Sequence, residues 1–178
     1  MEREAVVHPL KPIFSERSGI LILGSFPSVR SREAEFYYGN PQNRFWQVLA
    51  NVFGEPLPRT NEERQTLILR HDLALWDVIA SCKIHGSADS AISDVTPNDL
   101  TIILNYAPIR CVLLNGKTAE KYYRRYTEKQ ICRKAVCLPS TSPANAAWSI
   151  PRLVEAWSKA IGTATITVQP AEQLRVTE

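Results

Sequence analysis

The feature that most constrains this chain is a short apolar run, Gly19 to Leu23, that passes without a linker into the turn Gly24-Ser25-Phe26-Pro27-Ser28. A continuous apolar run bounded by turn residues reads as a strand buried on both faces, and such strands belong to parallel sheets covered by helices. Two later runs, Ile109 to Leu114 and Lys134 to Leu138, are also strand-like, and the second enters a further Ser/Pro turn, Pro139-Ser140-Thr141-Ser142-Pro143-Ala144-Asn145. Helical patterns lie between and after them. Asn43 to Phe53 sets Phe45, Trp46, Val48, Leu49 and Val52 at helical spacing and is closed by Gly54, Pro56 and Pro58. Asn61 to His71 carries Glu62 and Glu63 near its start, where negative charge complements the helix dipole. Thr96-Pro97-Asn98-Asp99 supplies a cap, a first-turn proline and a capping-box acid for a helix running to Tyr106. Thr118 to Tyr126 and Ile150 to Ile161, the latter opening with Pro151, are the remaining helices. Leu73 to Ala80 fits a strand or a loop, and the tail from Thr163 either adds a strand at Thr165 to Val168 or frays. Alternation of this kind predicts a mainly parallel α/β sheet with helices on both faces.

In such sheets a ligand sits beyond the carboxyl ends of the strands. Both Ser/Pro turns occupy that edge, as does Asn115-Gly116-Lys117, so three separated segments converge on one cleft. The first turn is followed by Phe36-Tyr37-Tyr38-Gly39-Asn40-Pro41-Gln42-Asn43-Arg44-Phe45-Trp46. Flat rings and side-chain amides suit a planar heterocycle better than a sugar or a phosphate. Phe36, Tyr37 and Tyr38 cannot all face one way, so at least one is expected to border the cleft. Asn40 and Asn43 read either as turn former and helix cap or as polar groups of the cleft.

At 178 residues the chain is expected to be one domain with a substantial core, residues 1–15 and 163–178 being peripheral. An apolar fraction of 44% against 22% charged residues is that of an ordinary globular protein, and a net charge of +3 permits a polyanionic partner without demanding one. No apolar run approaches the roughly 20 residues needed to span a bilayer, and Met1 to Lys11 lacks the apolar core of a signal peptide. A cytoplasmic monomer without membrane contact is the expectation. The cysteines Cys82, Cys111, Cys132 and Cys137 form no C-x-x-C pair, and Cys111 and Cys137 read as inert thiols in apolar strands. No metal site and no cofactor are expected.

Gly116-Lys117-Thr118 at a strand–helix junction invites a phosphate-loop reading, but the required first glycine would be residue 111, which is Cys111. Triphosphate binding is therefore excluded, while the amides there and Lys117 remain able to hold one phosphate of a larger ligand. No G-x-S-x-G elbow and no Ser-His-Asp set is present. His85 reads as a surface loop histidine or a catalytic one, Asp77 as a turn residue or a pocket group, and Arg124 and Arg125 as a solvated face or part of a basic rim.

At these residues the chain resembles the uracil-DNA glycosylase superfamily, and within it the hypoxanthine-DNA (deoxyinosine) glycosylases. The resemblance spans roughly residues 19 to 155 and rests on Gly24 to Ser28, Tyr37 to Trp46 and Leu138 to Asn145, with Gly86 to Ile92 and Leu114 to Lys117 in support. It implies a three-layer α/β/α sandwich and a monofunctional, metal-free glycosylase that flips a deaminated nucleotide out of DNA and cuts the base–sugar bond with water. By the same resemblance Gly24, Ser25, Phe26, Pro27, Tyr38, Asp89 and Ser90 would form the base pocket, with Tyr38 stacking on the base. Ser28, Lys117, Ser140, Thr141, Ser142, Pro143 and Asn145 would contact DNA, the Ser/Pro loop entering from the minor groove. Flipping is least costly where pairing is already poor.

The sequence departs from the family at one point. Two residues after the first glycine of the turn, mismatch-specific relatives place an Asn and the strong uracil enzymes an Asp, where this chain has Phe26. Phe26 cannot orient or deprotonate water, so uracil removal should be weak and another polar group must serve. By the resemblance to the deoxyinosine branch, which takes an Asn from this second segment, Asn43 is the expected water-positioning residue, with Asn40 in reserve. An amide is a poor base, which a largely dissociative cleavage tolerates, because most of the work falls on stabilising the departing base anion. Three rivals stay open: an inert damaged-DNA recognition module, a uracil or mismatch-specific glycosylase, and a nucleoside hydrolase.

Overall fold

The computed structural model describes residues 4–84 and 92–166. In chain order the elements are β1 (Glu4–Val7), β2 (Ile20–Gly24), α1 (Val29–Glu33), α2 (Phe45–Phe53), α3 (Asn61–Arg70), β3 (Leu73–Asp77), β4 (Ile79–Ile84), β5 (Ser93–Pro97), α4 (Thr101–Leu104), β6 (Cys111–Asn115), α5 (Lys117–Tyr122), α6 (Glu128–Ile131), β7 (Val136–Leu138) and α7 (Ile150–Ile166). A π-helical turn over Tyr123–Thr127 links α5 to α6 where the sequence predicts one uninterrupted helix.

The central sheet has the order β3-β2-β6-β7, with every pairing parallel. All five residues of β2 and of β3 are buried, as the apolar runs Ile20 to Leu23 and Leu73 to Trp76 require, and Asp77 is carried into the interior at the end of β3. Helices cover the sheet to give a three-layer α/β/α sandwich. Phe45 of α2 and Trp157 of α7 are fully buried and meet edge to face at 5.9 Å, which locks one helical layer. Parallel register brings Gly24 opposite Asp77, and Asn115 opposite Leu138. Four strand ends therefore open onto one edge, and that edge carries the site.

Local chemistry explains the helix ends. Thr60 accepts from the Glu63 amide at 3.1 Å while Glu63 accepts from the Thr60 amide at 3.3 Å, a capping box that starts α3. Gly54 closes α2 in the left-handed conformation at φ 64°.

Several expectations are corrected. Leu73 to Ala80 is neither one strand nor a loop: it is β3 and the start of β4, which leaves the central sheet and pairs antiparallel with β1 and β5 in a second sheet. Thr96-Pro97 ends strand β5 rather than opening a helix. As β5 is an edge strand, the missing proline N–H breaks no central ladder. The short α4 starts later, where Asp99 accepts from the Thr101 amide at 3.0 Å. Residues 4–14, expected to be peripheral, are integrated: Ile13 is buried and exchanges backbone hydrogen bonds with Leu75 at 3.0 and 2.9 Å, and Tyr37 donates to the Lys11 carbonyl at 2.7 Å. Helix α7 runs to Ile166, so the strand expected at Thr165 does not begin there; residues 167 onward lie outside the described residues. Cys111 and Cys137 are half-buried rather than core, and burial pushes both thiols up.

Candidate active site

The carboxyl edge of the sheet encloses a cavity of about 540 Å³. Gly24, Ser25, Phe26, Pro27 and Ser28 form one wall, directly off β2. Gly24 must be glycine: a Cβ there would sit 2.4 Å from Asp77 Oδ1 and 3.0 Å from the Tyr38 hydroxyl. Ser28 caps α1 by accepting from the Ser31 amide at 3.2 Å. The Ser31 hydroxyl in turn accepts from the Gly39 amide at 3.1 Å, tying the first turn to the second.

Of the three consecutive aromatics, Tyr37 and Tyr38 line the cavity, while Phe36 packs against the core and tilts against Trp46. Tyr38 is held at φ 52°, a left-handed conformation uncommon outside glycine, and one face of its ring stacks on Phe45 at 3.9 Å. Burial, followed by the nearby Asp77 carboxylate, pushes the Tyr38 phenol far above its ordinary value, so its proton stays on. Asn40 makes a turn, its Oδ1 accepting from the Gln42 amide at 3.0 Å, and Asn40 also lines the cavity.

Asn43 has the cap-like role the sequence allowed and a place in the cavity as well. Its Oδ1 accepts from the Phe45 amide and from the Thr141 hydroxyl, each at 2.9 Å. A backbone amide only donates, so the carbonyl oxygen is fixed toward Phe45 and the Nδ2 donors are left over. Thr141 is fully buried and central. Asn115 grips it twice, accepting from its amide at 3.0 Å and donating to its hydroxyl at 3.0 Å, and donates again to the Tyr38 hydroxyl at 3.1 Å. One directed chain of hydrogen bonds thus joins Tyr38, Asn115, Thr141 and Asn43.

The Ser/Pro loop is braced from within and from outside. Asn145 Nδ2 donates to the Ser140 carbonyl at 3.0 Å, and the Ser142 amide donates to the Ser140 hydroxyl at 3.1 Å. Gly116, at φ 97°, lets the loop approach α5: a Cβ there would meet Ser140 Cβ at 2.9 Å. Arg44 grips the loop with its whole guanidinium, donating to the carbonyls of Ser142 at 2.8 Å, Asn145 at 3.1 Å and Thr141 at 3.4 Å, and to that of Trp148.

Ser140, Thr141, Ser142 and Pro143 join the predicted pocket residues around the cavity. Lys117 and Asn145 do not: they line an adjacent hollow of about 500 Å³ behind the loop. Lys117 is exposed and paired with Glu120 at 3.0 Å, and Glu120 also holds Arg124 at 2.7 Å. Asp89, Ser90 and His85 lie outside the described residues, as does most of the Gly86 to Ile92 segment. Among the described residues no group of three or more His, Cys, Asp or Glu could hold a metal ion, and no helix is long and apolar enough to cross a membrane.

Sequence reasoning missed three contributors. Arg44 was visible in the second motif but carries no signal for what it grips, because its partners are backbone carbonyls roughly a hundred residues away. Asn115 sits at a recognisable strand end, yet its double grip on Thr141 is a long-range fact. His8 falls in a stretch with no pattern, and it meets Asp77 through the sheet edge at 2.7 Å.

The family model described as the uracil DNA glycosylase superfamily matches residues 12–161. A Methanosarcina barkeri protein named hypoxanthine DNA glycosylase is 38% identical over 113 residues, 62% of this chain and 72% of that protein. One of the same name from Methanosarcina acetivorans is 35% identical over 139 residues, 77% of this chain and 87% of that protein. The solution NMR structure of a Methanosarcina acetivorans protein, described provisionally as a uracil DNA glycosylase, superposes with a TM-score of 0.74 at 31% identity, covering 88% of this chain and 96% of the other.

Proposed function

The chain belongs to the uracil DNA glycosylase superfamily, and we propose that its cavity receives a deaminated base, chiefly hypoxanthine, swung out of DNA, and hydrolyses the bond joining that base to deoxyribose. The observation that carries this reading is the hydrogen-bonded chain Tyr38–Asn115–Thr141–Asn43, which sets a flat ring and a carboxamide on one cavity wall. With Phe45 on one face of Tyr38, the rest of the ring is available to a planar base, and stacking of this kind contributes about 1–3 kcal/mol. The Ser/Pro loop, rich in small hydroxyls and held in shape by its own amides, fills the space the base leaves in the duplex.

Asn43 holds water rather than deprotonating it. Its Oδ1 is committed to Phe45 and Thr141, so Nδ2 donates to the water oxygen, whose second lone pair is free for the sugar carbon. The glycosidic bond breaks first, its electron pair leaving with the base. Water then adds to the cationic sugar and loses a proton to solvent, while the departed base anion takes one up, leaving a sugar hydroxyl and the neutral base. The cavity wall includes no lysine or cysteine among the described residues, which fits a glycosylase that works through water rather than an amine adduct. The flipped nucleotide's phosphates would run along the loop and the hollow holding Lys117.

Single-turnover excision from inosine- and uracil-containing duplexes tests this directly. Inosine should be cut and uracil cut weakly; inosine left intact while uracil is excised would reverse the assignment. Abasic product never forming under excess protein, despite binding to inosine DNA, would favour a recognition module instead. Binding should weaken steeply with salt, the log–log slope rising by about 0.9 for each phosphate neutralised. A salt-insensitive enzyme that cleaves free inosine would be a nucleoside hydrolase. Gly24→Ala should slow excision by at least roughly tenfold with the far-ultraviolet circular dichroism unchanged, because the new methyl must displace Asp77 or the Tyr38 hydroxyl. Wild-type rates in that variant would separate the Gly24 approach from catalysis.

A further inference from the structure

One buried polar pair meets the cavity without belonging to the chain of hydrogen bonds that positions Asn43. Asp77 ends β3, is 4% exposed and lines the cavity. His8, just beyond β1, brings Nε2 to 2.7 Å from Asp77 Oδ2. The Leu10 amide donates to His8 Nδ1 at 3.2 Å, so Nδ1 is the acceptor and the ring proton sits on Nε2, donated to Asp77. The neutral imidazole therefore pins the carboxylate through one oxygen and leaves the other. Among the described residues no donor reaches Asp77 Oδ1, which lies against Gly24 on the cavity wall. A carboxylate on a buried side chain, held through one oxygen and presenting the other at the cavity wall, calls for an N–H from whatever enters.

Deamination supplies that N–H. At the Watson–Crick edge adenine offers a bare ring nitrogen, an acceptor, whereas hypoxanthine carries a hydrogen on the same atom. We propose that Asp77 Oδ1 reads this hydrogen, accepting from the lactam N–H of the flipped base while repelling the lone pair adenine would place there, with His8 as the positioning residue that holds the carboxylate. The assignment rests on the proposed function and gives its site a specificity determinant. Its logic is both attraction and exclusion: the altered base gains a charge-assisted hydrogen bond, and the undamaged one meets like polarity in a closed site. Sites built to bond a particular N–H reject analogues lacking it far more strongly than apolar pockets reject a missing methylene.

The test compares single-turnover excision from duplexes carrying deoxyinosine with excision from duplexes carrying 1-methyldeoxyinosine, in which a methyl replaces the hydrogen in question. Wild-type protein should favour deoxyinosine by at least roughly tenfold, the range expected for a hydrogen bond to a charged group. Asp77→Ala removes the acceptor and opens room for the methyl, so deoxyinosine should slow by a similar factor and the preference should collapse. A variant that merely packs badly slows both substrates together and keeps their ratio. His8→Ala should give an intermediate ratio, since the carboxylate remains but is free to turn. An unchanged ratio in Asp77→Ala, or equal wild-type rates on the two substrates, overturns the assignment while leaving the glycosylase function standing. Wild-type protein that spares deoxyinosine altogether overturns that function, and this assignment with it.

Discussion

Asn43→Ala should lower single-turnover excision of hypoxanthine about a hundredfold or more while leaving DNA affinity nearly unchanged. The expectation follows from what the side chain touches. Its carboxamide faces the cavity, yet the Nδ2 donors are the only part not spent on the protein itself. Removing them takes away the group that holds water against the sugar, a transition-state role, while the loop that grips DNA keeps its Asn115 and Arg44 braces. The signature is thus a rate loss at saturating protein rather than a shift in binding. Asn40→Ala is the control. Asn40 accepts a turn hydrogen bond from Gln42, so its loss should be mild. If Asn43→Ala kept full rate and Asn40→Ala lost it, water would be held from the turn instead. Abolished binding in Asn43→Ala would instead mean that Thr141, freed of its acceptor, had let the loop move.

The contrast between these two asparagines marks what a sequence can disclose here. Strand β2 was legible because five consecutive buried residues leave no polar alternation to misread, and α2 because its apolar stripe is closed by a left-handed glycine. Convergence of both Ser/Pro turns on one sheet edge follows from parallel pairing alone. The failures have a common cause. Leu73 to Ala80 is apolar but for Asp77, so its pattern gives no hint that the chain changes sheets near Val78, where the Val78 and Ile79 amides turn to bond Gly24 and Ser25. Pro97 fits a helix start and an edge-strand end equally well, and only the pairing with β4 decides. His8 and Arg44 act on partners about 70 and 100 positions away in the chain. Local propensity reports turns, caps and stripes; it is silent on which strand end a distant histidine will reach.

Arg44 is where that silence conceals the most, and Arg44→Ala should show it as a double loss. The guanidinium donates to carbonyls of Thr141, Ser142, Asn145 and Trp148, and the Arg44 amide donates to Thr141 as well at 3.1 Å. A planar fork serving several carbonyls of one loop fixes its shape in a way no single bond does. Removing it should cost about 3 kcal/mol, since hydrogen bonds to a charged group contribute about 1.5–3 kcal/mol each and several are lost together while water recovers part. For a domain of this size that corresponds to a fall in Tm of roughly 6–12 °C in a thermal melt. Activity should fall further than stability implies, by roughly a hundredfold below the melting range, because Thr141 orients Asn43 and a displacement of about 1 Å at a reacting centre is enough for such a loss. Arg44→Ala should also weaken DNA binding through the lost charge and the loosened loop, and Arg44→Lys, which keeps the charge but has no fork, should recover that affinity and little of the rate. That split is the decisive reading: a lysine variant with wild-type excision would make Arg44 a mere charge near the phosphates, whereas restored binding with slow chemistry requires the loop, through Thr141, to aim the amide that holds the water.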